Sequence, residues 1–513
     1  MISTISRQLG FVLALGVLPL LHAADATAKK PNLVILLADD LGYGDVHALN
    51  PERGKIATPH FDRLVREGMT FTDAHGGSSV CTPTRYGLLT GRYAWRTRLQ
   101  HGVLDGYVEP LIAPDRLTLP AMLKQQGYHT ACIGKWHLGF TIEGAADKSG
   151  GGKKKAGGGE KKAKGGDGNG SGLGRFPGAP MGARTRDGPL TRGFDTFFGF
   201  HHARMMESMF EGDQVTELVP PVETLPRLVR RGRDYIAERV RAGAPFMLYL
   251  ALSSPHTPIV PSKEWQGKSG LGAYADFVME TDWALGEVLA ALEQAGIARD
   301  TLVIATSDNG CSPAAGTDKL EAQGHFASAQ FRGYKADIWD GGHRIPFVAR
   351  WPGRVRAGAR ADNTICLTDL ITTMAEITGA RIPATAAEDS FSFLPDLLGT
   401  GHGARRSIVH HSIHGRFALR EGPWKLEFCP GSGGWAKPID ADAKAQGLPD
   451  IQLYDLSKDI AEQHNLQAAR PEIVQRLTAQ LRDFVERGRS TPGPARKNDA
   501  AIDLFGEQPK ERK

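Results

Sequence analysis

The chain has 513 residues, 41% of them hydrophobic, which is enough for a large globular domain together with a smaller one. Its formal net charge is +5, and residues 147–167 supply most of it, since seven lysines there oppose three acidic residues. The rest of the chain is therefore almost neutral. This composition excludes the distributed basic surface on which nucleic-acid binding depends.

The first 24 residues have the pattern of a secretory signal peptide. Arg7 precedes an apolar run from Phe11 to Leu21, and the small residues Ala23 and Ala24 follow. The run is shorter than the ~20 apolar residues of a membrane-spanning helix. A buried N-terminal helix is the structural alternative. The pattern favours a secreted or periplasmic protein without a membrane span.

Five cysteines are too few and too scattered for a disulfide framework: Cys81, Cys132, Cys311, Cys366 and Cys429. An odd number leaves at least one unpaired, and Cys81 is the candidate. Thr82 could cap a helix that starts at Pro83, which would place Cys81 at the positive end of the helix, where thiolates are stabilised. Arg85 would add a positive charge. A purely structural cysteine is the alternative interpretation.

Four apolar runs have the character of buried parallel strands, and polar residues follow each of them. The runs are residues 33–37, 130–133, 246–252 and 302–305. The polar residues at or after their ends are Asp39 and Asp40, Lys135 and His137, His256, and Asp308 and Asn309. Ligands of open α/β sheets bind beyond the carboxyl ends of the strands. We therefore expect these side chains to share one site.

Helical patterns, such as residues 275–296, alternate with these runs. This alternation predicts an α/β fold with a large, mostly parallel sheet. After residue 404 the sequence pattern changes to that of short strands followed by a last helix. This pattern predicts a small α+β C-terminal subdomain over residues 405–490. The remaining residues, 491–513, are expected to form a flexible tail.

Residues 144–172 are rich in glycine and lysine and have almost nothing to bury, so they predict a disordered insertion. Such a basic run is usually only solvated. Binding of an anionic polymer is the alternative.

The stretch SVCTPTRYGLLTG around Cys81 resembles the sulfatase signature, in which a cysteine is followed by a small residue, proline, a small residue and arginine. The second family signature is present as YHTACIGKWHLG. Shorter motifs follow the family order: DDLGYGD, SSPHTP, SDNG, RGYKADIWDGGHRIPF and LYDLSKD. The chain is thus similar to type I sulfatases of the alkaline-phosphatase superfamily from Pro31 to about Leu466. Thr84 stands where the commonest form has serine, which bears on recognition by the modifying enzyme.

The resemblance implies a catalytic domain over residues 31–404 that has an alkaline-phosphatase-like mixed sheet with helices on both faces, and an antiparallel sheet in the C-terminal subdomain. It also implies that a maturation enzyme oxidises Cys81 to formylglycine (3-oxoalanine). One Ca²⁺ would be held by modified Cys81 and by four further residues: Asp39, Asp40, Asp308 and Asn309. Oxygen ligands with several carboxylates suit this hard cation. Taken without the motif, the acids could be helix caps or turn residues.

The resemblance also implies roles for the basic residues. Arg85 and Lys135 would steady the formylglycine and the sulfate oxygens, and His137 would take a proton from the second hydroxyl of the formylglycine hydrate. His256 and Lys335 would bind the sulfate and protonate the leaving oxygen. Histidine suits such work because its pKa lies near neutrality.

The assignment of Lys335 has a competitor. Lys319 is another lysine in the same part of the chain, and Asp340 stands where many family members have glutamate after their lysine.

The predicted activity is hydrolysis of sulfate esters through a covalent sulfated intermediate, on a sulfated carbohydrate and also on aryl sulfates. One alternative is a phosphate or phosphonate ester hydrolase, which would need a dinuclear zinc site with histidine ligands. Another is a catalytically silent relative that binds sulfated ligands. Six further residues could line the mouth of the pocket or be ordinary surface: His201, His202, His410, His411, His414 and Trp435.

Overall fold

The structure is a computed structural model that describes residues 30–143 and 178–505. The predicted signal peptide and the predicted insertion at 144–172 lie outside these residues. The strands are β1 Asn32–Asp39, β2 Met69–Phe71, β3 Ala74–His75, β4 His129–Lys135, β5 Thr196–Phe200, β6 Ser208–Glu211, β7 Gln214–Leu218, β8 Phe246–Pro255, β9 Thr301–Ser307, β10 Phe347–Arg350, β11 Ala359–Ala361, β12 Ile365–Cys366, β13 Ser407–His411, β14 Phe417–Glu421, β15 Trp424–Glu427 and β16 Gln452–Asp455. The α-helices are α1 Pro59–Glu67, α2 Cys81–Thr90, α3 Leu119–Gln125, α4 Thr224–Ala242, α5 Ala273–Gln294, α6 Thr317–Ala322, α7 Asp340–His343, α8 Leu370–Thr378, α9 Leu394–Leu398, α10 Asp440–Ala445 and α11 Pro471–Glu486.

A large mixed sheet organises the catalytic part, with the strand order β11-β2-β10-β9-β1-β8-β4-β5-β6-β7. The four strands expected from the apolar runs are β1, β4, β8 and β9. They are neighbours in the order β9-β1-β8-β4, and every pairing between them is parallel. Their carboxyl ends therefore lie at the same edge, as the sequence predicts. The antiparallel strands β6, β7 and β10 make the sheet mixed.

Helices cover both faces of this sheet. On β1, Leu33, Ile35 and Leu37 belong to the core formed with α2, α3 and α8, whereas Val34 and Leu36 belong to the core formed with α1, α4 and α5. Successive side chains of a strand point to opposite faces. A strand covered on both sides must be apolar at every position, which explains the continuous run at residues 33–37.

A separate antiparallel sheet of β13-β14-β15-β16 forms the C-terminal part, and α11 packs against it through Leu477 and Leu481. Strand β13 reaches the segment before Cys81. There the His411 carbonyl accepts hydrogen bonds from the Ser79 backbone N–H at 3.1 Å and from the Ser78 hydroxyl at 2.7 Å. The small subdomain thus directly supports the segment that leads into α2.

The expected flexible tail is packed over its described part, residues 491–505. Asp499 accepts two hydrogen bonds of 3.0 Å from the Arg92 guanidinium, and the Asn498 amide donates to the Val485 carbonyl at 2.7 Å. Leu504 is only 9% exposed. The polar composition of residues 491–505 does not predict these contacts, because Arg92, the partner of Asp499, lies 407 residues away in the chain. Among the described residues, none of the helices has the length and apolarity required to span a bilayer.

Candidate active site

Cys81 is the first residue of α2, and Val80 precedes it as the N-cap. The expected capping by Thr82 is wrong. Its hydroxyl instead accepts a hydrogen bond from the Leu104 backbone N–H at 3.2 Å. Burial raises the pKa of the Cys81 thiol, although Lys135 and Lys335 act in the opposite direction. The thiolate expected at this helix end is therefore disfavoured, because desolvation of the charge outweighs the nearby cations.

All five cysteines are buried and unpaired. A buried neutral thiol is a poor nucleophile, since the thiolate is the reactive form. Position alone therefore does not make Cys81 reactive.

Carboxylates surround Cys81 at the ends of β1 and β9. One ligand atom from each of Asp39, Cys81 and Asp308 lies within 4.8 Å of the other two. Asp40 turns back in the left-handed region at a φ of 67°, and its backbone N–H donates to Asp308 Oδ1 at 3.2 Å. The Asn309 amide donates to Asp40 Oδ1 at 2.8 Å. The structure thus brings together all five residues that the sequence predicts as metal ligands.

Three cations face these three carboxylates. Lys135 Nζ lies 2.6 Å from Asp39 Oδ2. Lys335 Nζ lies 2.6 and 2.9 Å from the two oxygens of Asp40. The Arg85 guanidinium donates to Asp308 Oδ2 at 3.0 Å and to the Lys135 carbonyl at 3.1 Å. The charges of the protein groups therefore balance within a buried cluster.

Two acceptor oxygens in this cluster, Asp39 Oδ1 and Asn309 Oδ1, are buried and have no hydrogen-bond donor. Burial and the Asp39 carboxylate also raise the pKa of Asp308, against the influence of Arg85. Unpaired buried acceptors are costly, and adjacent carboxylates repel each other unless a cation lies between them. These residues therefore fit a hard cation such as Ca²⁺.

One ring nitrogen of His137 has a hydrogen-bond partner, and the other has none. Nε2 lies 2.9 Å from the Leu104 carbonyl, which only accepts, so Nε2 carries the proton and Nδ1 keeps its lone pair. Nδ1 is buried and has no hydrogen-bond partner. Burial, followed by the nearby Lys135, holds the pKa of His137 well below its usual range. The ring is therefore neutral at pH 7 and can accept a proton at Nδ1.

His256 follows β8 and faces Asp40. Its Nδ1 is hydrogen-bonded to the Thr257 carbonyl, and its Nε2 lies 3.8 Å from Asp40 Oδ2. Burial, followed by Lys335, holds the pKa of His256 well below its usual range. His256 and Lys335 each keep 6% of their surface exposed, whereas Lys135 and His137 are fully buried. The His256–Lys335 side is thus the one open to solvent.

The structure separates the remaining candidates. Lys319 lies exposed on α6, away from the carboxylates that Lys335 contacts. Asp340 contacts Arg344 and Lys425 and is not part of this cluster. The ring of His202 lies 4.4 Å from that of His137 and 6.0 Å from that of His256, measured between centroids.

His414 and Trp435 are exposed and lie close to the loop that carries Lys335. The backbone N–H of Ile413 donates to the Ala336 carbonyl at 3.1 Å, and that of Trp435 donates to Asp337 at 2.8 Å. His410 and His411 are buried. Sequence reasoning missed the positioning groups that are backbone atoms, such as the Leu104 carbonyl, because every residue type carries one.

A mostly parallel sheet with this polar cluster at its carboxyl edge is typical of an α/β enzyme. The Sulfatase family model matches residues 31–380, and the chain belongs to the sulfatase family. It is 30% identical to N-acetylgalactosamine-6-O-sulfatase of Bacteroides thetaiotaomicron over 88% of this chain and 93% of that protein. It is 32% identical to human arylsulfatase A over 89% of this chain and 88% of that protein.

A solved structure from work on glycosaminoglycan metabolism by Bacteroides thetaiotaomicron has a TM-score of 0.73 with this chain and 26% sequence identity, and it covers 89% of this chain and 99% of its own. The predicted fold class and family are thereby confirmed. The chain is an enzyme that hydrolyses sulfate esters.

Proposed function

We propose that this sulfatase removes sulfate from a carbohydrate, with formylglycine made from Cys81 as the nucleophile and one Ca²⁺ beside it. The observation that carries this proposal is the cluster of Asp39, Cys81 and Asp308, whose ligand atoms lie within 4.8 Å of one another. The 30% identical N-acetylgalactosamine-6-O-sulfatase makes a 6-sulfated amino sugar the first substrate to test.

Formylglycine, as its hydrate, supplies one hydroxyl that attacks sulfur and a second whose deprotonation releases sulfate. His137 Nδ1 takes that second proton, since it is the unpartnered nitrogen of a neutral ring. Arg85 holds Asp308 and the Lys135 carbonyl in position through two hydrogen bonds. Lys135 and Lys335 bind the sulfate oxygens and stabilise the charge that develops on them.

His256 delivers a proton to the leaving oxygen of the sugar. Its Nδ1–H is engaged with the Thr257 carbonyl, so Nε2 is the nitrogen that must be protonated. A bound sulfate brings negative charge next to this ring and raises its pKa. Protonation of His256 is therefore coupled to substrate binding.

Asp39, Asp40, Asp308 and Asn309 would hold the Ca²⁺ together with the modified Cys81. The ion would supply two positive charges to a cluster whose protein charges already balance, which favours an anionic sulfate ester. A dinuclear zinc site of the phosphatase kind suits this cluster poorly, because zinc sites of that kind use several histidine ligands, and among the described residues His256 alone is grouped with these acids.

We expect the purified protein to release sulfate from N-acetylgalactosamine 6-sulfate and from p-nitrophenyl sulfate. Ion chromatography of the released anion measures both reactions. The same assay with p-nitrophenyl phosphate should give a kcat/KM lower by at least about 10²-fold, because the site binds one metal ion and not two. A preference for the phosphate ester would instead support the phosphatase alternative, and no hydrolysis of any ester would support the silent relative.

Lys335→Ala should lower kcat/KM for p-nitrophenyl sulfate by about 10²-fold or more, because the ammonium group binds the substrate and neutralises Asp40. Lys319→Ala is the matched control and should stay within about twofold of the parent, since Lys319 is exposed, whereas Lys335 is buried on Asp40. Initial rates with both variants decide between the two lysines. Equal losses in both would contradict the assignment.

A further inference from the structure

A second histidine cluster lies outside the active site, formed by His75 at the end of β3, His343 at the end of α7 and His410 in β13. One ring nitrogen from each of these three residues lies within 4.8 Å of the other two. All three are buried, with relative exposures of 0%. The mechanism uses none of them, so their concentration at one point needs another explanation.

The hydrogen bonds of the outer ring nitrogens indicate where the lone pairs lie. His75 Nε2 is 2.8 Å from Asp73 Oδ1, and His343 Nε2 is 3.0 Å from the Ile338 carbonyl. The Arg420 guanidinium and Lys425 Nζ are also near, at 3.3 and 3.4 Å, but the shorter contact of each Nε2 is to an acceptor, which favours the neutral tautomer with the proton on Nε2. The two Nδ1 atoms then face each other with their lone pairs at 3.0 Å. In this pair of tautomers, a cation bound by both nitrogens would remove the repulsion between their lone pairs.

His410 is the third ring of the cluster. The ring of His410 stacks on that of His343, with centroids 3.6 Å apart and an angle of 9° between the planes. Neither ring nitrogen of His410 has a hydrogen-bond partner. A buried imidazole without partners is costly, and it is rare without a ligand.

Protonation of one of these three rings is unfavourable at this buried position. Burial lowers the pKa of His75 to about 4, with a further contribution from Arg344, and burial also holds the pKa values of His343 and His410 well below the usual range. Neutral imidazoles are the form that binds metal ions. Four acidic side chains around the cluster pair with three cationic ones: Asp73, Asp340, Glu427 and Glu462 with Arg344, Arg420 and Lys425. Burial raises the pKa values of Glu427 and Glu462, so a cation bound nearby would favour their ionised forms.

We propose that His75, His343 and His410 bind a divalent transition-metal ion, best Zn²⁺, through three imidazole nitrogens, with water as the fourth ligand; the His410 ring turns out of its stack on His343 to reach the ion. Two nitrogens that each lie about 2.1 Å from a tetrahedral zinc are roughly 3.3 Å apart, close to the separation found here. Asp73 and the Ile338 carbonyl hold the other N–H groups of two of the rings, which is the usual outer arrangement of zinc-bound histidines.

Such an ion would join three distant parts of the chain. His75 immediately precedes residues 76–80, which lead to Cys81, and the Gly76 backbone N–H donates to the His343 carbonyl at 2.9 Å. His410 lies in the C-terminal sheet next to His411, whose carbonyl holds Ser78 and Ser79. The ion would therefore fasten the nucleophile segment to the C-terminal subdomain, as a structural site separate from the Ca²⁺ cluster.

The test compares the parent protein with His410→Phe, in saturating Ca²⁺ so that the carboxylate cluster is occupied. Phenylalanine keeps the stacking on His343 and removes only two unpartnered nitrogens, so this variant should fold without loss of stability in the absence of zinc. After incubation with Zn²⁺ and gel filtration, we expect one zinc per chain in the parent and almost none in the variant. Added Zn²⁺ should raise the Tm of the parent only.

His402→Gln is the matched control, because this histidine is exposed and should leave the zinc content unchanged. Co²⁺ gives a readout that needs no variant, since a tetrahedral nitrogen site produces strong visible absorption bands that octahedral oxygen ligands do not. A parent protein that retains no zinc and shows no such bands would overturn the proposal, and so would a variant that retains as much zinc as the parent. In that case His343 would carry its proton on Nδ1 and donate to His75 Nδ1, and Lys425 Nζ, 3.4 Å from His343 Nε2 and 3.0 Å from the Ile338 carbonyl, would be the donor to both.

Discussion

Cys81→Ala should lower kcat/KM for p-nitrophenyl sulfate by at least about 10³-fold, because the variant has no group that can become the nucleophile. Initial rates measure the effect. Mass spectrometry of the tryptic peptide that carries residue 81 should show formylglycine in the parent protein. Cys132→Ala removes another buried thiol, from the core around β4, and should keep activity within about threefold.

Cys81→Ser tests whether release of sulfate depends on the second hydroxyl of the formylglycine hydrate. A serine hydroxyl can attack sulfur once, but it lacks the second hydroxyl from which the sulfate is expelled. We therefore expect this variant to accumulate a stable sulfated serine, seen as the mass of one added SO₃ group. An alanine variant with normal turnover, or a parent protein that carries only unmodified cysteine, would contradict the formylglycine mechanism.

Asp308→Asn should weaken Ca²⁺ binding by roughly 10²-fold, because it removes one negative charge from the ligands of the ion. The two acceptor oxygens of the cluster that have no hydrogen-bond donor stay in place in this variant. Isothermal titration of Ca²⁺ into protein stripped with a chelator measures the affinity. Activity of the parent should disappear with the chelator and return with Ca²⁺. Asp213→Asn, which changes an exposed carboxylate paired with Arg184, should leave the affinity unchanged.

Asp308 also pairs with Arg85, so its replacement can reduce stability by leaving a buried guanidinium unpaired. Asn309→Ala provides a second variant, since it deletes an unpartnered acceptor oxygen without changing the charge of the cluster. A folded Asn309→Ala protein with parental Ca²⁺ affinity would show that the ion does not use this oxygen.

Local sequence was sufficient for the four central strands of the catalytic sheet, β9, β1, β8 and β4. The continuous apolar run at residues 33–37 predicts a strand covered on both faces, and β1 has helices on both sides. The polar residues that end β1 and β9 meet at one edge because parallel strands share a direction. Cys81 and its neighbours were recognised because their spacing resembles the sulfatase signature, and the structure places them at the start of α2.

Tertiary structure alone decided the features that depend on partners far away in the chain. The sequence left Lys335 and Lys319 as competitors, and only the fold places Lys335 on Asp40. Residues 491–505 look like a tail until Asp499 is seen on Arg92. His75, His343 and His410 carry no shared motif and come together only when the C-terminal sheet packs against the catalytic part. Periodicity and motifs report short-range constraints, whereas ion pairs and ring contacts across hundreds of residues depend on packing that no local pattern encodes.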